Sequence, residues 1–420
     1  MELTERERAM LAGDEGPVVA EAMDYLVQFG EAFDAERLVD LAYCHYPAEM
    51  AIYEGSVEDA VEYAARGAQV RVPTTSSTLC ADVEKPTITG CPAALVDLQT
   101  QVVGAHRQMG ICETFTCTPQ FLGFVPPCGS YACLVESSAI IYYNSVLGVR
   151  TNRGGLFTRY SAITGKYPLM GYQLDANRRG THWFRVDVPT ARLQTYDAWC
   201  ALGMHIGALV GSDVPVIDGI APDRQEWLLG MGAALATSGS VTLFHIPGVT
   251  PEARTVEEAF RGGPPPEPVT VTEADLDAVY AAQTTIETES PIDFVLLGCP
   301  HYNLDQLRQV AEALAGQTVA EGVRFWVCTN RMTRLQAEHS GYVQAIEAAG
   351  ARVVADTCPV ESHMRASTCR DHGLPVPNVE AMVCDSGKMI RYVGDLIGCR
   401  TALTQRAACI AAATSGRWEG

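Results

Sequence analysis

Along this chain, stretches with apolar residues every three or four positions alternate with short apolar runs rich in β-branched residues. The first period is that of a helix burying one face, the second that of a strand buried on both. The N-terminal forty or so residues read as helix: Thr4 and Glu7 have capping-box spacing, and Pro17 opens a second segment, VVAEAMDYLVQF, that Gly30 closes. Ser56 is placed to cap a third helix, which Gly67 ends before a strand, VRVPT, at 70–74. The unit recurs: LVDLQTQVVGAHRQM stops at Gly110 and passes into ICETFT at 111–116, and VQAIEAA stops at Gly350 and passes into ARVVAD at 351–356. DFVLL, 293–297, instead comes first, and the helix LDQLRQVAEAL follows with Asn303 as its N-cap. Such alternation predicts an α/β fold of several layers with largely parallel sheets.

The best linker is RGGPPPEPV, 261–269, where three consecutive prolines support neither helix nor central strand. It divides the chain into an N-terminal α/β region, 1–262, and a C-terminal α/β domain, 270–420. The first is long enough for two subdomains, and composition does not fix a division near residue 200.

Composition narrows the class. With 47% hydrophobic and 19% charged residues the chain reads as a soluble globular protein, and no apolar run approaches the ~18 residues that span a bilayer. The start, MELTERERAM, lacks the basic patch and apolar core of a secretory signal, which makes the cytoplasm the expected compartment. A formal charge of -20 repels a phosphate backbone, and this argues against a nucleic-acid partner. Only Lys85, Lys166 and Lys388 represent lysine. The fifteen cysteines contain no Cys-x-x-Cys, which fits neither a disulfide framework nor a zinc ribbon.

Functional groups in open α/β sheets gather beyond the carboxyl ends of strands. Applied to the cysteines, that filter selects Cys117 after ICETFT, Cys299 after DFVLLG and Cys358 after ARVVADT, each followed by proline directly or at one remove. Three thiolates from separate segments suit an iron–sulfur cluster with one iron left open as a Lewis acid. For any one of them a buried inert thiol is the blander reading, and Cys112, Cys328 and Cys384 are rivals. A second pattern is basic: residues 150–185 carry Arg150, Arg153, Arg159, Lys166, Arg178, Arg179 and Arg185 against one acid, Asp175. Within the stretch 148–166, glycines flank Arg150, Thr151 and Asn152, as a loop approaching an anion requires. The alternative is a basic face paired with the acidic remainder of the chain. Lys388 lies in a small-residue turn, CDSGKM, that is not a P-loop, because Met382 stands where the first glycine belongs. His205 and His245 read as core imidazoles, whereas His301, beside Cys299, is the histidine favoured for chemistry.

The stretches TCTP (116–119), ESSA and NSVLGVRTNRGG (136–155), TGK (164–166), GMHIG with GSDVP (203–215), HIPGVTPE (245–252), GCPH (298–301), DTC (356–358) and DSGK (385–388) together resemble the large subunit of the aconitase X family. The resemblance runs in order over nearly the whole chain. It implies an aconitase-like fold around a central cluster cleft and a hydro-lyase with an iron–sulfur cluster on Cys117, Cys299 and Cys358, of a type left open. The activities it implies are dehydration of cis-3-hydroxy-L-proline, the preferred reading, or of mevalonate 5-phosphate. It also implies a separate small swivelling-domain subunit carrying the serine base, since this chain ends near residue 420 without such a domain. Arg150, Asn152, Lys166 and Lys388 are then expected to hold the anionic substrate, with His301 assisting by hydrogen bond. Thr74 and Thr75 match a threonine pair in relatives, and Thr151 and Ser386 complete the expected contacts. Relatives often carry an acid after the Arg-Thr-Asn-Arg run, and here Gly154 stands there. A reading of another class is a thiolate metal-binding sensor without turnover.

Overall fold

A computed structural model describes residues 1–53, 55–374 and 376–420. Its first unit contains β1 (Leu38–Asp40), β2 (Tyr43–Tyr46), β3 (Thr74–Ser76), β4 (Tyr131–Leu134), β5 (Arg150–Arg153) and β6 (Lys166–Pro168). Four of these form a parallel sheet in the order β3-β2-β4-β5, while β1 and β6 pair antiparallel beside it. In the middle unit β7 (His182–Asp187), β8 (Pro215–Asp218) and β9 (Val269–Thr272) make a parallel sheet ordered β8-β7-β9. The last unit holds β10 (Phe294–Leu297), β11 (Arg324–Thr329), β12 (Arg352–Ala355), β13 (Ala381–Cys384) and β14 (Arg400–Leu403), all parallel, in the order β12-β11-β10-β13-β14. The layered, largely parallel α/β fold is thus the one the periodicity predicts.

Strand order locates the chemistry. In the last sheet the chain leaves β10 toward β11 on one side and later returns to lay β13 on the other, so the loops after β10 and β13 diverge. The first sheet repeats this between β2 and β4. Such switch points open crevices at the carboxyl ends of strands. The two crevices face each other, and residues from both meet there.

Packing makes the arrangement rigid. One core cluster runs from the helices Tyr196–Val210 and Gln225–Gly239 onto Phe294, Leu296, Trp326 and Met382 of the last sheet, so the middle and last units share an interior. The two helices approach closely at glycines: a Cβ at Gly203 would lie 2.3 Å from the Met231 carbonyl.

Several local expectations hold. Thr4 and Glu7 form their capping box, and Asn303 caps the helix Leu304–Ala313. Others shift for physical reasons. The helix Pro17–Ala32 runs two residues past Gly30, and Ser56 is the first residue of its helix, with Gly55 as N-cap. The strand expected at 70–74 starts at Thr74, because Pro73 has no N–H to give the ladder. ICETFT is a loop that tracks β3 through one bridge, Thr75 to Cys112, with Phe115 at φ 39°. Cys117 therefore sits in a loop beside a strand rather than at a strand's own end. After the proline run, β9 pairs with β7, which returns the chain to the middle sheet.

Candidate active site

Cys299 leaves β10, Cys358 follows β12, and Cys117 ends the 111–117 loop. The three thiols share one electrostatic neighbourhood: a thiolate at Cys299 opposes ionisation of both Cys117 and Cys358, and all three feel the Lys388 ammonium and the Glu136 carboxylate. Burial pushes every one of them up, Cys299 to about 11. Lys388 and the Ser386 hydroxyl favour the thiolate at Cys299. The rivals Cys328 and Cys384 also lie near Cys299, but inside β11 and β13 and wholly buried, while Cys112 bridges to Thr75.

His301 stitches the three loops together. Its backbone N–H donates to Cys117 Sγ at 3.2 Å, two residues beyond Cys299. Its Nε2 lies 3.2 Å from the Thr357 carbonyl, next to Cys358, and its Nδ1 lies 3.1 Å from Thr116 Oγ1, next to Cys117. A carbonyl only accepts, so Nε2 carries the proton and Nδ1 accepts from the threonine hydroxyl. With both nitrogens committed, and burial lowering its pKa to about 4, the ring is a neutral brace. The hydrogen-bond assistance expected of His301 is thus placed by the structure on the loops that carry the cysteines.

Beside the thiols stands a buried ion pair that joins the two crevices. Lys388, at the start of the helix Gly387–Leu396 after β13, donates to Glu136 Oε1, just past β4, and to Ser138 Oγ at 3.1 Å. Burial pushes the Glu136 carboxyl up, but Lys388 outweighs it and holds the group at about 2. Burial likewise works against the Lys388 ammonium, and Glu136 more than compensates. Ser386 caps the same helix, accepting from the Met389 N–H at 3.1 Å. Thr75 is buried behind this junction, its hydroxyl 2.8 Å from His45 Nδ1, whereas Thr74 turns its hydroxyl to the Val72 carbonyl. Glu136 lay in the quoted ESSA stretch without being singled out.

The remaining predicted contacts are placed elsewhere. Arg150 starts β5, at the end of the sheet away from the crevice, and pairs with Asp175. Thr151 donates its backbone N–H to Asn144, and Asn152 braces the turn at Met170 and Tyr172. Lys166 is held by Glu7 at 2.9 Å and Asp40 at 2.8 Å. Within the basic stretch, Arg159, Lys166 and Arg178 are paired with acids from distant segments and Arg150 with the stretch's own acid. Gly154 has its own reason: a Cβ there would lie 2.3 Å from Thr158 Oγ1 and 2.5 Å from Cys133 Sγ, leaving no room for an acid.

A cavity of about 590 Å³ opens over the first sheet's switch point, lined among others by Glu49, Asp59, Glu136, Arg159 and Glu361. It reaches from Glu136, beside the thiols, to Arg159, the one basic residue among the described residues lining it. Arg159 belonged to the basic stretch, but no sequence signal set it apart from its six neighbours.

The donor set can be tested against an iron–sulfur cluster. Among the described residues no three His, Cys, Asp or Glu side chains converge on one ion-sized point. A cluster takes one thiolate per iron, and so asks for neighbouring sulfurs rather than a single focus. Here three soft donors are neighbours, one sulfur accepts a backbone N–H, and a buried ammonium offsets thiolate charge. These residues fit such a group.

Three parallel-sheet units around a thiol-bearing crevice define an α/β protein of aconitase-like architecture. Models of the first, second and third domains of aconitase X match residues 1–176, 180–281 and 292–415. The chain belongs to the aconitase X family. It is 36% identical to the phosphomevalonate dehydratase large subunit of Methanothermobacter thermautotrophicus over 94% of each chain. It is 34% identical to the cis-3-hydroxy-L-proline dehydratase of Pseudomonas aeruginosa over 98% of this chain and 70% of that protein. The crystal structure of Thermococcus kodakaraensis aconitase X in its holo-form matches with a TM-score of 0.85 at 30% identity, covering 98% of this chain and 100% of that one.

Proposed function

We propose that this chain is the large subunit of an iron–sulfur hydro-lyase that dehydrates cis-3-hydroxy-L-proline or a close hydroxylated amino acid in the cytoplasm. The reading rests on the meeting of Cys117, Cys299 and Cys358 beside the Lys388–Glu136 pair at the inner end of the cavity. These cysteines would hold the cluster, which when bound supplies a Lewis-acidic iron that weakens the carbon–oxygen bond to be broken. The protein's own part is electrostatic and steric. Lys388 offsets charge beside the thiolates, and the crevice holds the substrate in one orientation.

Glu136 is a poor base, because Lys388 keeps its pKa near 2. A base from outside this chain is consistent with relatives named as large subunits, and the family resemblance implies a serine on a small swivelling-domain subunit in that role. No helix of the described residues is long and apolar enough to cross a membrane.

Cavity charge bears on the substrate. Four acids, Glu49, Asp59, Glu136 and Glu361, line it against Arg159. Glu136 and Glu361 carry their own cations, Lys388 and Arg365, just outside that lining, so Arg159 is the one cation the described lining residues offer an anion; a single carboxylate suits it better than a phosphorylated carboxylate, and the exposed Asp59 can face an ammonium. The test is anaerobic purification with the adjacent small subunit, iron and sulfide analysis, and an ultraviolet assay on both substrates. The expected result is a coloured protein turning over hydroxyproline, with Cys117→Ser, Cys299→Ser and Cys358→Ser each losing iron and activity. A colourless protein carrying one zinc ion overturns the enzyme in favour of a metal sensor, and turnover of 5-phosphomevalonate alone overturns the substrate.

A further inference from the structure

Arg159 sits in the helix Phe157–Thr164 with its side chain only 5% exposed, and its guanidinium has a fixed orientation. The edge formed by Nε and Nη2 is taken by Glu49 Oε1, with Nε 2.9 Å from that oxygen and 3.2 Å from the Tyr46 hydroxyl. Glu49 is itself held from behind by His106 Nε2 at 3.0 Å, and the Tyr63 ring lies 4.8 Å from the guanidinium carbon. A guanidinium carries five N–H donors. One on Nε and one on Nη2 are spent on this buried network, and one on Nη1 meets Asp59 Oδ2 at 3.2 Å. One N–H on Nη2 stays unspent, and with Asp59 swung off Nη1 the two terminal nitrogens offer the pair of donors that grips a carboxylate with two parallel bonds. Asp59 is 53% exposed on its side chain and is free to swing into water.

We propose that Arg159 is the specificity residue of the cavity, gripping the substrate's carboxylate through its free end while Asp59 moves aside. The inference rests on the hydro-lyase reading and gives its substrate a second anchor, in the cavity that Glu136 also lines. Glu49, His106 and Tyr63 act as positioning residues that hold the fork. The ligand class follows: a compact carboxylate whose reacting carbon lies toward the thiols and whose opposite end carries no second anion, since Glu49 and Asp59 already flank the cation.

Titration calorimetry on the anaerobic, cluster-loaded chain without the small subunit, to which the proposed function gives the base, reads binding without turnover; with cis-3-hydroxy-L-proline and 5-phosphomevalonate as probes it separates the two claims. Wild type is expected to bind hydroxyproline. Arg159→Gln paired with Glu49→Gln, which keeps the buried network uncharged, should weaken binding about 30-fold or more with the visible spectrum unchanged. Asp59→Asn leaves the fork intact and removes its competitor, so binding should tighten several-fold; in kinetics both effects fall on KM rather than kcat. If wild type binds hydroxyproline and the double variant binds it equally well, Arg159 is not the anchor and the hydro-lyase reading stands. If Asp59→Asn weakens binding, the displacement idea fails. If wild type binds neither probe, the substrate reading falls and this inference with it.

Discussion

At the scale of single residues, the Lys388–Glu136 pair decides most. The side chains are 11% and 18% exposed, and removing one partner strands the other's charge, at a cost below the about 3–5 kcal/mol of a fully buried pair. Lys388→Met and Glu136→Gln should each lower the thermal midpoint, and the double variant should lose less than the sum, a coupling that a double-mutant cycle measures. The acid limit is shared by His45 and His301, both held neutral by burial. Burial drops the His45 pKa to about 4, against about 6.5 in the unfolded chain, so the unfolded state binds the extra proton first. Stability is then lost as pH falls from about 6.5 toward 4, by up to roughly 3 kcal/mol from this group. His45→Gln should flatten that part of a melting-temperature profile. The three cysteines could be singled out because they share one context, a thiol near proline past an apolar run, although any one of them alone reads as an inert core thiol. The pairing of Lys166 was not legible, because Glu7 and Asp40, which hold it, announce nothing by sequence position; Arg150 pairs with the one acid of its own stretch, Asp175.

Elements were legible where local chemistry closes them. Asn303 caps its helix by accepting from the Gln306 N–H at 2.9 Å while Gln306 reaches back, a reciprocal pattern written in four residues. Asn303→Ala should cost about 1 kcal/mol by denaturant unfolding without moving the midpoint of iron loss. The 111–117 loop was illegible for the opposite reason: its β-branched residues promise a strand, but its hydrogen bonds go to β3 singly and Phe115 breaks the extended run. Close helix approach is a tertiary fact as well. Gly203 faces the Met231 carbonyl so tightly that Gly203→Ala must push backbone rather than a flexible side chain. An overpacking loss of about 1–3 kcal/mol is expected in urea titrations, against a gain of about 0.5–1 kcal/mol for Gly104→Ala in the exposed interior of the helix Ala93–Met109, where a Cβ meets nothing within 4 Å.

For the molecule as a whole, the question is what keeps cysteines of the first and last units in register. His301 works on the inside of the junction, and Arg331 works on the outside. Arg331 opens the helix Arg331–His339 of the last unit and donates to Asp356, two residues before Cys358, through its backbone N–H and Nε at 2.7 Å each. Its Nη1 crosses to the first unit, meeting Glu113 at 3.2 Å and Glu84 at 3.0 Å, and its guanidinium carbon lies 4.6 Å from the Phe115 ring in the loop of Cys117. Arg334 to Asp82 and Lys85 to Glu338 reinforce the same seam. The exposed Lys85 pair is worth little, whereas Arg331 replaces several backbone contacts at once. Arg331→Gln should therefore leave each unit folded and the far-ultraviolet spectrum unchanged while the two cysteine loops lose their common spacer. The expected readout is iron loss to a chelator several-fold faster than wild type, with Arg331→Lys intermediate and Lys85→Met indistinguishable from wild type. Equal chelation rates for Arg331→Gln and wild type would show that His301 alone sets the spacing of the sulfurs, and that the seam between the units serves stability only.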